Sequence, residues 1–210
     1  DRVGTFVAIS SAIQDRVRRF YARESDIVYP PVDTARFFLS PDGGNDDYFL
    51  IVSRLVPYKR IDLAVRAFTE LGLPLWIAGS GRDRASLEAM AGDNVRFLGR
   101  VPDEDLGRLR ARCRAFVFPG LEDFGIAPVQ AMAAGRPVIA FAGGGALDYV
   151  QEGVTGTFFH EQSPGSLADT VSRFDAAAFA PSEIRAHAEK FDTQVFKTNL
   201  MAVIRERMGE

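Results

Sequence analysis

Cysteine and histidine are scarce in this sequence. Its 210 residues include one cysteine, Cys113, and two histidines, His160 and His187. A single cysteine excludes a disulfide within the chain and favours a reducing compartment. Neither histidine has a partner at the spacing of a metal-ligand motif, so the sequence argues against a zinc site. We therefore expect no zinc site, and we expect Cys113 to be a buried structural thiol.

An excess of one charge and a long apolar run are also missing. The 25 basic and 28 acidic residues give a formal net charge of −3, which offers no electrostatic reason for a nucleic-acid partner. A membrane-spanning helix needs about eighteen apolar residues, and no segment reaches that length. No signal peptide opens the sequence, so a cytoplasmic protein is the simplest expectation. The alternating arginines would lie on opposing faces of a helix and not in one basic stripe; they are Arg108, Arg110, Arg112 and Arg114.

Apolar segments typical of strands alternate with amphipathic segments typical of helices. The predicted strands are residues 5–9, 27–33, 48–53, 75–78, 94–98, 115–119, 138–141 and 157–159, and residues 40–47 form a polar, glycine-rich connector. The alternation predicts parallel β-α-β units and so an α/β fold with a Rossmann-like, doubly wound parallel sheet. At 47% hydrophobic residues the chain can bury a substantial core, and we expect residues 1–210 to form a single domain.

One loop and the helix after it carry most of the functional signal. The strand predicted at residues 115–119 leads into a loop with Glu122, and Pro128 then fits the first turn of a helix over residues 126–134. Glu122 is therefore expected near the unpaired N–H groups and the positive end of the helix dipole, where an anion can dock. Gln130 follows about one turn further along. We expect both side chains to face one cleft, with free backbone donors between them.

Other polar and glycine-rich loops are predicted at the same edge of the sheet, because the carboxyl ends of parallel strands meet there. Arg54 and Lys59 suit a diphosphate, since a guanidinium can grip two oxygens in one plane and an ammonium adds a point charge. The alternative is that both are solvated charges beside Asp62. The remaining loops at this edge are Gly79-Ser80-Gly81, Arg100-Val101 and Gly143-Gly144-Gly145. Each glycine loop alone is weak evidence, because a turn from strand to helix favours glycine in any case.

The order of these motifs resembles a known family. The segment Glu122-Asp123-Phe124-Gly125-Ile126, with a polar residue eight positions after Glu122, is similar to the E-x7-E region of retaining glycosyltransferases of family 4 (group 1), which have the GT-B fold. The resemblance is in particular to members that transfer mannose or a related hexose. At Gln130 the sequence departs from the family, which normally has glutamate there. The similarity continues through Tyr29-Pro30-Pro31-Val32-Asp33, Ser53-Arg54-Leu55, Gly79-Ser80-Gly81, Gly99-Arg100-Val101-Pro102 and Gly153-Val154-Thr155-Gly156.

The resemblance implies roles for these residues toward a nucleoside-diphosphate sugar. Arg54 and Lys59 would hold the diphosphate and stabilise the charge that develops on the leaving nucleotide. Glu122 would hold hydroxyls of the donor sugar, which completes a catalytic group of three. The donor-binding groups would be Gly79, Ser80, the backbone of Arg100 and Val101 for the base, the N–H groups of Phe124 and Gly125 for the sugar, and Gln130 for the ribose. Because proteins of this fold generally need no metal, the resemblance also implies no bound metal and no other cofactor.

The resemblance covers only one half of the family's fold. It implies the C-terminal, donor-binding domain, whereas the N-terminal domain is absent from this chain. The sequence begins Asp1-Arg2-Val3 without methionine, which also suggests a piece of a longer protein. We expect the isolated chain to bind a nucleotide sugar without transferring it. A glycan or lipid-linked acceptor would bind through the missing domain, and the full-length protein could associate peripherally with the inner face of a membrane.

Two other functions stay open at this stage. A sugar-nucleotide epimerase can share the fold, and Gln130 makes a non-catalytic module that only binds nucleotide sugars plausible. A carboxylate can accept from both ribose hydroxyls, whereas an amide offers one acceptor oxygen and one donor group. We expect Gln130 to bind ribose at a cost of roughly 1 kcal/mol, because one charge-assisted hydrogen bond becomes neutral.

Overall fold

The computed structural model describes residues 3–41 and 45–208. Its strands are β1 (Phe6–Ala8), β2 (Ser25–Ile27), β3 (Phe49–Val52), β4 (Leu75–Ala78), β5 (Val95–Gly99), β6 (Ala115–Phe118), β7 (Val138–Phe141) and β8 (Gly156–Phe159). Its α-helices are α1 (Ser11–Tyr21), α2 (Ile61–Leu71), α3 (Arg84–Ala89), α4 (Asp103–Arg112), α5 (Ile126–Ala133), α6 (Ala146–Tyr149), α7 (Pro164–Arg173), α8 (Pro181–Ala188) and α9 (Thr193–Met208). Short 3₁₀ helices lie at Thr34–Arg36, Pro57–Lys59, Ala176–Ala178 and Glu189–Phe191.

A six-stranded parallel sheet forms the centre of the structure, in the order β5-β4-β3-β6-β7-β8. Phe49 of β3 pairs with Leu75 of β4 on one side and with Ala115 of β6 on the other. From β3 the chain winds outward through β4 to β5, returns to β6, and then winds the other way to β8. Because crossovers between parallel strands are right-handed, this reversal places helices on both faces of the sheet. The predicted α/β fold with a Rossmann-like, doubly wound parallel sheet is confirmed.

Each face of the sheet is covered by its own hydrophobic core. On one face α2 packs against α7, and the core contains Phe49, Phe68 and Leu167. On the other face α5 packs against α8, and the core contains Met132 and Ile184. Strand β6 lies between the two cores and is buried along its whole length. Its continuous apolar run is what a parallel strand covered on both faces requires.

The first β-α-β unit lies outside this sheet. Among the described strands, β1 and β2 pair only with each other, in parallel. Ser10 caps α1 by accepting a hydrogen bond from the Ile13 N–H at 3.2 Å, and the Asp148 carboxylate accepts one from the Ser11 N–H at 2.9 Å. The alternation in the sequence predicts the β-α units but not their division between two sheets. The single-domain organisation therefore stays a prediction.

The largest boundary error concerns the second strand. The sequence predicts it over residues 27–33, whereas β2 ends at Ile27. Pro30 and Pro31 lack the N–H groups that would continue a ladder, so the extended chain leaves the sheet there. The sequence also predicts a helix over residues 82–91 after the glycine turn, whereas α3 spans only Arg84–Ala89. Residues 42–44 of the predicted connector lie outside the described residues.

Replacing Phe68 by alanine should destabilise the fold by about 3–5 kcal/mol, because it leaves a cavity in the core beneath α2. Phe68 is fully buried and packs edge-on against Phe49, with ring centres 5.0 Å apart. The matched control is Phe20→Ala on α1, where the ring is 70% exposed; there we expect a change of less than about 0.5 kcal/mol. Urea denaturation followed by circular dichroism measures both. Equal losses in the two variants would contradict the assigned core.

Candidate functional site

The crevice of a doubly wound sheet opens where the winding reverses, here between the carboxyl ends of β3 and β6. A cavity of about 190 Å³ lies at this position. Its walls are the loop after β3, which carries Arg54 and Lys59, and the loop after β6, which carries Glu122. Ile126 and Ala127 of α5 also line it. The structure therefore brings the three residues of the predicted catalytic group into one cavity.

An ion pair spans this cavity. The Lys59 ammonium lies 2.5 Å from the Glu122 carboxylate, and the two side chains are only 17% and 15% exposed. Lys59 ends the short 3₁₀ helix Pro57–Lys59, and its ammonium lies 5.1 Å from the centre of the Tyr58 ring. Since little water reaches the pair, its attraction is screened less than that of a surface pair. The pair holds the two loops together across the crevice.

Arg54 lines the same cavity without such a partner. Its side chain is exposed, and it forms no hydrogen bond or ion pair with any residue of 3–41 or 45–208. Asp62, the alternative partner for the loop cations, instead binds Arg60, with N–O distances of 3.2 and 3.3 Å. An anion in the cavity can therefore be neutralised by Arg54 without breaking an existing ion pair.

Glycines let the loops of the crevice pack closely on one another. A Cβ atom at Gly145 would overlap the backbone of the loop after β6, and the Gly145 N–H donates to the Glu122 carbonyl at 2.9 Å. On the other side of the crevice, a Cβ atom at Gly79 would overlap the Ser53 carbonyl. The glycines after β4 and β7 are thus explained by backbone packing. They fix the loops that carry Arg54 and Glu122.

The loop after β6 leaves backbone donors at the start of α5. The N–H groups of Phe124 and Gly125 form no hydrogen bond with the described residues. Gly125 has a φ of 93°, which favours glycine, and a Cβ atom there would lie 3.0 Å from the Tyr149 hydroxyl. The buried Phe124 ring packs on Tyr29 and Tyr149, with ring centres 5.9 and 5.4 Å apart. No sequence pattern predicts this aromatic support, because its members come from three distant segments.

The other residues predicted to bind the donor do not line this cavity. Ser80 is exposed, and its carbonyl accepts a hydrogen bond from the Leu55 N–H at 3.0 Å. Arg100 is exposed and Val101 is half-buried; both follow β5, which is separated from β3 by β4. Their roles toward a nucleotide, like that of Gly79, stay predictions.

A wider cavity of about 630 Å³ shares Glu122 with the first. Ile9, Leu121 and Ile126 give it an apolar rim, and they are 41%, 48% and 43% exposed. Tyr58 borders both cavities. Glu122 therefore lines both a small cavity that contains two cations and a larger cavity with an apolar rim. Ile9 was not predicted to lie there, because only the folding back of the first β-α-β unit brings it to this position.

The described residues contain no group of three or more histidine, cysteine, aspartate and glutamate side chains that could hold a metal ion. In the same part of the chain, no helix is both long enough and apolar enough to cross a membrane. Cys113 is fully buried, and burial raises the pKa of its thiol to about 12. It is therefore protonated at neutral pH, in agreement with the structural role expected from the sequence.

Comparison with known protein families agrees with this architecture. The family model described as glycosyl transferases group 1 matches residues 34–189. The chain belongs to this family. In structure it is similar to Anabaena Alr3699/HepE in complex with UDP, with a TM-score of 0.85 and 22% identity, over 97% of this chain and 64% of that one. That likeness confirms the fold as one half of a GT-B glycosyltransferase.

Curated relatives in the family are similar over part of their length. The GDP-mannose-dependent alpha-(1-6)-phosphatidylinositol monomannoside mannosyltransferase of Mycolicibacterium smegmatis is 34% identical over 156 residues, which cover 61% of this chain and 41% of the relative. The D-inositol 3-phosphate glycosyltransferase of Frankia alni is 31% identical over 208 residues, covering 82% of this chain and 48% of the relative. This group 1 chain thus spans about half the length of the curated relatives it matches.

Gln130, where the family normally has glutamate, does not line the small cavity of this group 1 chain. Its Oε1 accepts a hydrogen bond from Arg110 Nη2 at 2.8 Å. In the sequence Arg110 is only one of four alternating arginines, and nothing in the local pattern predicts this contact. The role of Gln130 toward the ribose stays a prediction.

Removing the charge of Glu122 should cost about 1–2 kcal/mol of stability, because Lys59 would then be largely buried without its counterion. The variant is Glu122→Gln, which keeps the size of the side chain. Glu88→Gln is the control, since Glu88 pairs with Arg84 at 2.7 Å on a surface where the two side chains are 43% and 42% exposed. We expect less than about 0.5 kcal/mol there. Urea denaturation gives both values, and a cost for Glu122→Gln no larger than the control would refute the structural importance of the pair.

Proposed function

We propose that this chain is the donor-binding half of a retaining glycosyltransferase. The enzyme would transfer a hexose of the mannose type from a nucleoside-diphosphate sugar to a glycan or lipid-linked acceptor. The observation that carries the proposal is the meeting of Arg54, Lys59 and Glu122 in one cavity at the point where the winding of the sheet reverses. The two cations there can bind the negatively charged diphosphate, and the carboxylate can accept hydrogen bonds from the hydroxyls of the sugar.

The diphosphate would bind between the two cations. Arg54 is unpaired within the described residues and can grip two phosphate oxygens in one plane. Lys59 is already paired with Glu122, so phosphate oxygens would compete for its ammonium. As Lys59 turns toward the phosphate, the Glu122 carboxylate becomes free to accept hydrogen bonds from hydroxyls of the sugar. Binding would therefore exchange one charged contact for several.

The same cations would assist the reaction. When the bond between the sugar and the diphosphate breaks, negative charge grows on the leaving phosphate oxygens. Arg54 and Lys59 stabilise that charge more strongly than the charge of the bound donor, which is how a fixed cation lowers a barrier. The free N–H groups of Phe124 and Gly125 would hold the sugar beside Glu122. Gly79, Ser80, Arg100 and Val101 would surround the nucleotide, and no metal ion takes part.

A mannose-type donor is supported by relatives in the same family. Two of the curated relatives at 34% and 32% identity are mannosyltransferases described as GDP-mannose-dependent. The structural neighbour that contains UDP is less similar, at 22% identity, and supports the fold alone. The proposal therefore names a nucleoside-diphosphate hexose and leaves the base to be measured.

The surface of the first β-α-β unit supports a further domain in the whole enzyme. A two-stranded parallel sheet is not stable alone, yet β1 and β2 have no other partner strand among the described residues. Val7, Phe20 and Tyr21 of this unit are exposed. The acceptor-binding domain would cover these side chains. The enzyme would work in the cytoplasm, at the inner face of a membrane where the acceptor is lipid-linked.

The apolar stripe of the last helix supports the same view. The described part of α9 contains no buried residue. Phe196, Leu200 and Val203 are half-buried along one side of it, and Ile204 is 39% exposed. Arg207 near its end pairs with Asp26 of β2 at 3.0 Å, so α9 lies against the first β-α-β unit. The two elements together would receive the missing domain.

Arg54→Met should weaken binding of a nucleoside-diphosphate hexose at least about tenfold, because a charge-assisted bidentate contact is lost. Binding of the free nucleoside, which has no phosphate, should not change. The control is Arg66→Met, since Arg66 is exposed on α2 and does not line the cavity. A thermal-shift screen of GDP-, UDP- and ADP-hexoses selects the ligand, and calorimetry gives the affinities. Equal effects of the two substitutions, or stabilisation by no nucleotide sugar, would contradict the proposal.

Further experiments test the absence of a metal and separate the glycosyltransferase from an epimerase and from a binding module. EDTA should leave donor affinity unchanged if the two cations alone neutralise the diphosphate. Incubation with a nucleotide sugar and no acceptor, followed by product analysis, should return the sugar unaltered; a change at one sugar carbon would identify an epimerase. Appreciable transfer by the 210-residue chain alone would refute the assignment of the acceptor site to another domain. A full-length protein that binds the donor and transfers nothing would be a binding module.

A further inference from the structure

The contact between Gln130 and Arg110 involves a buried charge. Arg110 is 5% exposed, and its Nε is buried without a hydrogen-bond partner among the described residues. Burial lowers the pKa of Arg110 to about 10, so the guanidinium is still charged at neutral pH. Its planar group lies 5.6 Å from the centre of the Phe37 ring. A neutral amide is thus the direct side-chain partner of a guanidinium that has left water.

This contact fixes the orientation of the Gln130 amide. Arginine has only hydrogen-bond donors, so the amide oxygen must face Arg110, as the distance of 2.8 Å to Oε1 shows. The NH2 group of Gln130 therefore points away from Arg110, and it forms no hydrogen bond with the described residues. A glutamate at this position would present a second acceptor oxygen in the place of that NH2 group.

The helices that carry these two side chains begin at the edge of the sheet where the crevice opens. Helix α4 follows β5 and α5 follows β6, so both helices begin at the carboxyl edge of the strands. In a helix the Cα–Cβ bond tilts toward the N-terminus, which here means toward that edge. Gln130 lies one turn after Ile126 and Ala127, which line the small cavity, and on the same side of α5. The Gln130 side chain thus extends from α5 toward the turn that lines the cavity.

We propose that Arg110 is a positioning residue that holds the NH2 group of Gln130 as a hydrogen-bond donor toward the ribose of the bound nucleotide. The inference rests on the proposed function. Where a carboxylate accepts hydrogen bonds from ribose hydroxyls, this site donates one to a ribose oxygen. It selects for an acceptor atom on the ribose and does not require the hydroxyl hydrogen.

The test compares GDP and UDP with their 2′-fluoro and 3′-fluoro analogues. Fluorine can face an N–H group but cannot donate a hydrogen bond. Calorimetry on the whole 210-residue chain gives the fluoro ratio, defined as the Kd of an analogue divided by that of its parent nucleotide. In the wild type we expect both ratios to stay within about threefold, because the site needs no donor from the ribose. In Gln130→Glu we expect at least one ratio to reach about tenfold, because a carboxylate oxygen then faces the fluorine.

Variants of Arg110 test the positioning itself. Arg110→Met lets the amide turn and accept from a hydroxyl, so one fluoro ratio should rise to about fivefold or more. Arg110→Lys, which also only donates, should keep both ratios within about threefold. Arg108→Met is the control on the same helix, where Arg108 pairs with Glu104 on the surface, and should change neither ratio nor Kd. Thermal unfolding shows whether each variant is folded. If Arg110→Met does not fold, the fluoro ratios of Gln130→Glu and Arg110→Lys test the inference.

The outcomes separate this inference from the proposed function. Equal fluoro ratios in the wild type, Arg110→Met and Gln130→Glu would show that Arg110 only supports the fold, and a wild-type ratio of about tenfold would show that the site needs a hydroxyl donor. Either result overturns the inference while nucleotide binding stands. If the wild type binds neither GDP nor UDP, the proposed function and the inference fall together.

Discussion

The ion pair between Lys59 and Glu122 is the contact on which the candidate site depends. It joins the loop after β3 to the loop after β6, which are the two strands between which the winding of the sheet reverses. At such a reversal the helices leave for opposite faces, so a crevice must open between the strands. The topology supplies the opening, and the ion pair holds its two walls together. In the proposed function, phosphate oxygens would compete with Glu122 for Lys59, so the bound donor would then connect the two walls.

Backbone and aromatic packing hold the walls in place from outside. Gly79 and Gly145 bring neighbouring loops into direct contact with the two walls. Beneath the loop after β6, the Phe124 ring packs on an aromatic layer that includes Tyr149 and Phe191. Rigid support of this kind matters because a catalytic charge is useful only if it stays where the reacting group needs it. The free N–H groups at the start of α5 are then held in a fixed position.

In the proposed function, two arginines with opposite environments would determine what the site can recognise. Arg54 is exposed and unpaired within the described residues, whereas Arg110 is buried and bound to Gln130. Keeping a guanidinium out of water is costly unless its hydrogen bonds are satisfied, and a buried Nε without a partner adds to that cost. The contact between Arg110 and Gln130 thus carries a desolvation cost and lies one helical turn from the residues that line the cavity. Both facts are consistent with a role in recognition. The charge of Arg54 would select a phosphate, and the orientation set by Arg110 would select the ribose.

The sequence by itself determined the α/β class, the order of most strands and helices, and the three charged residues that share the cavity. These follow from local rules, since apolar periodicity defines the elements and parallel strands bring their carboxyl ends to one edge. Only the tertiary structure decided that β1 and β2 form a separate sheet, that Lys59 pairs with Glu122, and that Arg110 orients Gln130. Each of these is a contact between segments distant in the chain. No local pattern encodes such contacts, because they depend on how the helices pack once the sheet has formed.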